Sequence, residues 1–371
     1  MISLSKQELA LQKQIDKTYQ ETYEYEDFIQ SPPNDLIAFN ELRTCAEICE
    51  LFSQQTLEAN SLFQRKLNWK EAEKTRFIDS LMKQIPIPNL CWSWDSKTGQ
   101  RFIVDGFQRI TTIVQFLSQP DWQLSDLPDV DFRIRGKSVQ EIQYQTPHLY
   151  QQVENLSLPI TAIYFDSTQE SHLDYLYTIF HRLNTGGTKL NNQEIRNCLY
   201  QGNLNQLLKD CSKLKTWQQI SPFRVRQKQH LKDEEFILRF FAFFDDYEQY
   251  SGTLTQFLNR YMYKNKNLES SILEQKINIF KETITLIDSN YLPEKLFFYG
   301  QNISALILEG ILIGIAKNLS FLKSQTQEEF KVRLLKLIDS EPYSPQQLAN
   351  GLLQTSQLKN RLTIAIHIFG T

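Results

Sequence analysis

The stretch NLCWSWDSKTGQRFIVDGFQRITT, Asn89 to Thr112, decides the fold. Asn89 to Asp95 and Gln100 to Asp105 read as two strands, and Ser96-Lys97-Thr98-Gly99 between them reads as the turn of a hairpin. Asp105-Gly106 then leads through polar Gln108 and Arg109 into Ile110 to Leu117, a short apolar helix. A strand-to-helix turn exposes the first backbone N–H groups of the helix, which have no intrahelical partner and favour an anion. Gly106 allows close approach of a ligand to the backbone. Arg109 offers a planar fork of donors that matches phosphate oxygens, and Asp105 is placed to hold a metal ion or a water. The same residues also suit an ordinary helix start, with Asp105 as the cap and Arg109 at the surface.

Working outward, Phe77, Ile78, Leu81 and Ile85 share one helical face over Lys70 to Ile85. Pro86 and Pro88 then stop that helix, because proline disfavours helical geometry in the residue before it. Asp131 to Gly136 reads as a strand and turn, and Pro159 to Phe165 as a buried strand. A second polar corner lies at Asn184-Thr185-Gly186-Gly187, after a helix ending at Leu183. Short polar side chains and glycines let backbone amides face a ligand there, although a glycine-terminated helix end also accounts for them. Asn191 followed by Glu194 fits a capping box for the next helix. Before the Lys70 helix, Arg65 and Lys66 are able to donate to phosphate, with Trp69 anchoring the turn, although a solvated basic turn also accounts for them.

After Gly202 the pattern is almost entirely helical: Asp233 to Tyr250, Asn267 to Asp288, Asn302 to Asn318, Thr326 to Ile338 and Ser344 to Gln354. The expected architecture is therefore α+β followed by all-α. The expected divisions are a polar arm over 1–34, a mixed domain over 35–202 and a helical domain over 203–371. From Lys213 to Lys232 the chain carries Arg224, Arg226 and Lys228 among other cations, with no acid. Such a run can follow a nucleic-acid backbone, and it also suits a solvated face.

Composition excludes several classes. The 371 residues carry 40 Lys+Arg against 43 Asp+Glu, a net charge of −3, so general electrostatic attachment to DNA or membrane is ruled out. The 24 Phe and 16 Tyr supply bulk for a large core. The five cysteines are scattered, and Cys45 and Cys49 have no second Cys or His pair to complete a zinc site. Met1 to Glu8 shows no secretory signal, and Ile303 to Ala316 is interrupted by Glu309 and shorter than the ~20 residues of a membrane span, so a cytoplasmic location is expected. The five histidines form no close pair, which excludes a His-Asn-His nuclease site in this chain. Neither HExxH, GxSxG nor a Walker A loop occurs.

Taken together, Phe63-Gln64-Arg65 with Trp69, Asp79-Ser80, Pro86-Ile87-Pro88, Asp105-Gly106-Phe107-Gln108-Arg109 with Thr111-Thr112, and Leu183-Asn184-Thr185-Gly186-Gly187 through Glu194-Ile195-Arg196 resemble a known pattern. It is that of the ParB-like/sulfiredoxin-like N-terminal domain of GmrSD-type modification-dependent restriction proteins, and Phe236 to Phe240 is also similar. The resemblance implies binding, and potentially hydrolysis, of a nucleoside triphosphate with Mg²⁺. It places Gln108 and Arg109 on phosphate, Asp105 near the metal or the attacking water, and Gln64, Arg65 and the Asn184–Gly187 loop in the same site. Phe107 stands where the common motif has its first glutamine, and an aromatic ring cannot donate or accept there. Larger members carry a His-Asn-His nuclease domain that is not seen in this sequence, so the resemblance implies that DNA cleavage in such a system either comes from a partner or does not occur. The rival expectation is a non-enzymatic DNA-binding module built on the same basic loops.

Overall fold

The computed structural model describes residues 31–58, 69–183, 190–223, 230–289, 297–298, 302–344, 347–348 and 354–371. The chain divides into two compact units at Leu190/Asn191.

The first unit is α+β. Strand β1 (Ile37–Thr44) runs directly into helix α1 (Cys45–Ser53). Thr44 and Glu47 make a reciprocal capping box there, which satisfies amides that the helix itself cannot. Strand β2 (Leu57–Glu58), helix α2 (Glu71–Met82), strand β3 (Leu90–Asp95) and strand β4 (Arg101–Asp105) follow. Next come helices α3 (Phe107–Ser118), α4 (Val139–Gln145) and α5 (Pro147–Glu154), then strand β5 (Ser157–Phe165) and helix α6 (Glu170–Leu183).

The strands form one five-stranded mixed sheet in the order β1-β5-β3-β4-β2. β3 and β4 pair antiparallel as the hairpin, β5 lies parallel to β3, and β1 lies antiparallel on the outer side of β5. Ile160, Ala162, Leu90, Trp92 and Ile103 are essentially inaccessible and make the apolar centre of one sheet face.

The Ser96–Gly99 turn is held by Asp95, whose carboxylate accepts from Lys97 N at 3.1 Å, Thr98 Oγ1 at 2.8 Å and Ser167 N at 3.2 Å. The last bond joins the hairpin turn to the end of β5. The α2 helix ends at Met82, short of Ile85, because the chain turns through Gln84 at φ 52° before the prolines.

Asp131 to Gly136 is not a strand but a tight turn. Asp131 accepts from Arg133 N at 2.9 Å and pairs with the Arg133 guanidinium at 2.7 Å. Its carbonyl takes the amides of Ile134 and Arg135. A side chain that hydrogen-bonds its own neighbouring backbone competes with a sheet ladder, and Phe132 is left 76% exposed.

The second unit begins with helix α7 (Asn192–Leu199), followed by α8 (Asn203–Ser212), α9 (Lys215–Ile220) and α10 (His230–Asp246). A 3₁₀ turn (Tyr247–Gln249) leads to α11 (Leu254–Asn265) and α12 (Ser270–Ser289). The small β6–β7 hairpin (Phe297–Phe298, Asn302–Ile303) precedes α13 (Ala305–Lys317), α14 (Leu319–Leu322) and α15 (Gln327–Ile338). A 3₁₀ turn (Glu341–Tyr343) and α16 (Thr355–Gly370) close the chain. The helix expected from Asn302 starts only at Ala305, because Asn302 and Ile303 are taken up in the hairpin. Most of the helix expected over Ser344 to Gln354 lies outside the described residues. Helix α13 is buried from Ala305 to Ala316. Among the described residues no helix is long and apolar enough to cross a membrane.

The Asp95 carboxyl is subject to burial, which alone would raise its pKa, but the hydrogen bonds from Ser167, Thr98 and Lys97 N hold it below the ordinary value. Hydrogen bonds from Arg133 hold Asp131 at about 2. Both folded values lie under the unfolded aspartate value of about 3.9. Their contribution to stability is therefore complete above that value and is lost as pH falls through the folded values. Thermal unfolding should show the midpoint dropping steeply between pH 5 and pH 2. Asp95→Asn should flatten that drop, and an unchanged pH slope in the variant would contradict the assignment.

Candidate functional site

The site is built at the β4–α3 corner. β4 delivers Asp105 at its C-terminal end, Gly106 makes the turn, and α3 begins at Phe107. Gly106 sits at φ 92°, ψ 16°, a left-handed conformation that side chains other than glycine resist. The space beside it is also filled: a Cβ there would lie 2.4 Å from Leu90 Cδ2 and 3.2 Å from Arg109 Nη2. Both backbone geometry and packing thus favour glycine.

Arg109 lies on the first turn of α3 and folds back over the corner. Its Nη2 pairs with Asp105 Oδ2 at 3.0 Å, an i,i+4 contact. Nη1 donates to the Pro88 carbonyl and Nη2 approaches the Asn89 carbonyl at 3.4 Å. The guanidinium side chain is 13% exposed, while the Asp105 side chain is 46% exposed. Burial pulls the Arg109 pKa down, and the Asp105 charge and hydrogen bond oppose that. The arginine therefore ties three chain segments together: the end of the Pro86–Pro88 segment, the start of β3 and the end of β4.

Phe107, the departure from the common motif, is 9% exposed and belongs to the core. The Gln108 carbonyl accepts from Thr112 Oγ1 at 2.7 Å and Thr111 Oγ1 at 3.1 Å, so the threonines after the motif brace the first turns of α3. Cys91 lies opposite Asp105 across the β3–β4 ladder, where the register shifts by a bulge. Burial, with a smaller contribution from Asp105, pushes the Cys91 thiol up to about 12, which keeps it protonated and unreactive.

Of the residues expected in a phosphate site, the structure brings together Asp105, Gly106, Gln108 and Arg109. Gln64, Arg65, Asn184, Thr185, Gly186 and Gly187 lie outside the described residues, as do Arg224, Arg226 and Lys228. Helix α7 shows the expected cap: Glu194 N donates to Asn191 Oδ1 at 2.8 Å and Asn191 N to Glu194 Oε2 at 2.7 Å.

Mg²⁺ favours a near-octahedral set of oxygens from carboxylates, waters and phosphates. Asp105 already bonds a guanidinium, and among the described residues no group of His, Cys, Asp or Glu side chains is arranged to hold a metal.

The residue that spacing alone did not single out is Arg101, at the start of β4. The hairpin register places it directly opposite Trp94, and its guanidinium lies 4.1 Å from the centre of that ring. The signal in the sequence was the equal distance of both residues from the Ser96–Gly99 turn.

Gly106→Ala should lower the unfolding free energy by about 1–3 kcal/mol through the left-handed backbone alone, and by more through the Leu90 contact. Chemical denaturation measures this, and a loss below about 0.5 kcal/mol would show that the corner is looser than described.

Comparison with known proteins bears on the same corner. Residues 48–201 match the model of the GmrSD restriction endonuclease N-terminal domain. Neither a curated protein nor a solved structure matches the chain. The matched span takes in most of the sheet, the whole Asp105–Arg109 corner and helix α7. Over residues 48–201, the chain is thus similar to the N-terminal domain of the GmrSD restriction endonuclease.

Proposed function

We propose that this chain is a nucleotide-responsive component of a DNA-directed restriction or phage-defence system, and that the Asp105–Arg109 pair is its latch. The observation that carries the reading is the ion pair itself. A guanidinium at the N-terminal end of a helix, where amides and dipole favour negative charge, is held by a half-exposed carboxylate. A nucleotide phosphate entering there competes with Asp105 for the same donors. Exchange frees Asp105 and loosens the hold of Arg109 on Pro88 and Asn89, so binding is coupled to the chain segments that meet at the corner.

In this reading Arg109 is the phosphate ligand, Asp105 its competitor, and the Gly106 corner with Gln108 frames the site. Gln64, Arg65 and the Asn184–Gly187 loop are proposed to complete it. Any Mg²⁺ arrives on the nucleotide's own phosphates, where it would neutralise charge. DNA contact is proposed for Arg224, Arg226 and Lys228, and strand cleavage for a separate nuclease subunit.

A state that must first give up an ion pair binds with reduced apparent affinity. Calorimetric titration with nucleoside triphosphates and Mg²⁺ should therefore show Asp105→Asn binding about fivefold more tightly than wild type, and Arg109→Gln losing binding. Weaker binding by Asp105→Asn would instead make Asp105 a direct ligand. Absence of binding for every nucleotide would overturn the reading.

A further inference from the structure

One register row crosses four strands of the sheet on a single face: Ile37 on β1, Tyr164 on β5, Trp94 on β3 and Arg101 on β4. Unlike the apolar centre beside it, this row reaches the surface. Ile37 is 55% exposed, Phe39 at the edge of the neighbouring row is 36% exposed, and Tyr164, Trp94 and Arg101 are half-buried. The Trp94 and Tyr164 rings meet edge to face at 5.5 Å.

Arg101 is the unusual member. Its guanidinium stacks on Trp94, and among the described residues it has no carboxylate within ion-pair distance and no hydrogen-bond acceptor. Its Nε is buried and without an acceptor. The neighbouring acid that it senses, Glu41, is already bonded by Arg43 at 2.8 Å. A buried donor left without an acceptor is costly, the rest of the half-buried guanidinium is open to a ligand, and its donors are fixed in a planar fork that suits phosphate.

We propose that this row is a platform for single-stranded nucleic acid. A base stacks on the open aromatic and guanidinium surfaces, and the adjoining backbone phosphate accepts from Arg101. The chemistry is that of sequence-tolerant strand binding, in which aromatic faces take bases and arginine takes charge. The positive charge of Arg101, which has no carboxylate in ion-pair contact among the described residues, favours an anion. The open, four-strand-wide row selects an extended strand over an enclosed mononucleotide. This inference does not depend on the Asp105–Arg109 latch, which uses a different arginine.

The test is fluorescence anisotropy of an end-labelled oligo-dT of fifteen nucleotides titrated with the full chain at low and moderate salt. Wild type should bind the single strand more tightly than a blunt duplex of equal length, with affinity falling as salt rises. Arg101→Gln should weaken binding about tenfold or more. Ile37→Glu, at an exposed position that folding does not need, should do the same by adding a negative charge to the row. Absence of binding, preference for duplex, or wild-type affinity in both variants would overturn the proposal. Displacement of the oligonucleotide by an equimolar mononucleotide would overturn the strand as occupant.

Discussion

A guanidinium taken out of water must find acceptors, and the β4–α3 corner is arranged around how Arg109 finds them. It takes Asp105 from the end of β4 and carbonyls from Pro88 and Asn89. Those partners come from segments separated in sequence, so the one side chain fixes where β3 begins relative to the start of α3. Gly106 is favoured by its left-handed backbone, and a Cβ there would also have to displace the Leu90 and Arg109 side chains. The turn, the arginine and the strand start thus depend on one another. A ligand that draws Arg109 away acts on all of them.

The helical unit uses arginine in a comparable way. Arg196 on α7 is fully buried and donates to Asn259 Oδ1 at 3.0 Å, Gln193 Oε1 at 3.1 Å and Glu235 Oε2 at 3.2 Å. Asn197 extends the network to Glu234 at 2.9 Å and accepts from Asn205 at 3.0 Å. Further along, Arg239 pairs with Glu309 at 2.5 Å, both nearly inaccessible. Buried ion pairs are weak evidence of net stability, yet removing one partner is severe because the other charge is stranded. Most of the polar face of α7 is therefore internal, and Glu194 serves its cap.

Much of this was legible in the sequence. The hairpin and the capping boxes follow from local chemistry, and the hairpin, β5 and α3 appear where pattern and turn residues placed them. Strand β1 was not legible, because an edge strand with Ile37, Phe39 and Leu42 at the surface lacks the alternation that burial imposes. Asp131 misled, since its side chain diverts the backbone bonds that a strand would need. Spacing showed that Asp105 and Arg109 are four apart, but not that Arg109 also reaches carbonyls some twenty residues earlier. Nor could composition separate Arg109, which is bonded internally, from Arg101, which is stacked and has no acceptor among the described residues.

That contrast between the two arginines is the centre of the account, and unfolding free energies of Arg109→Gln and Arg101→Gln test it most directly. Arg109 makes charge-assisted hydrogen bonds at a nearly closed corner, so its replacement should cost about 1.5–3 kcal/mol. Arg101 has only its stacking on Trp94 to lose, about 0.5–1 kcal/mol. Equal losses, or a larger loss at Arg101, would contradict the assignment of internal acceptors to Arg109 and of stacking alone to Arg101.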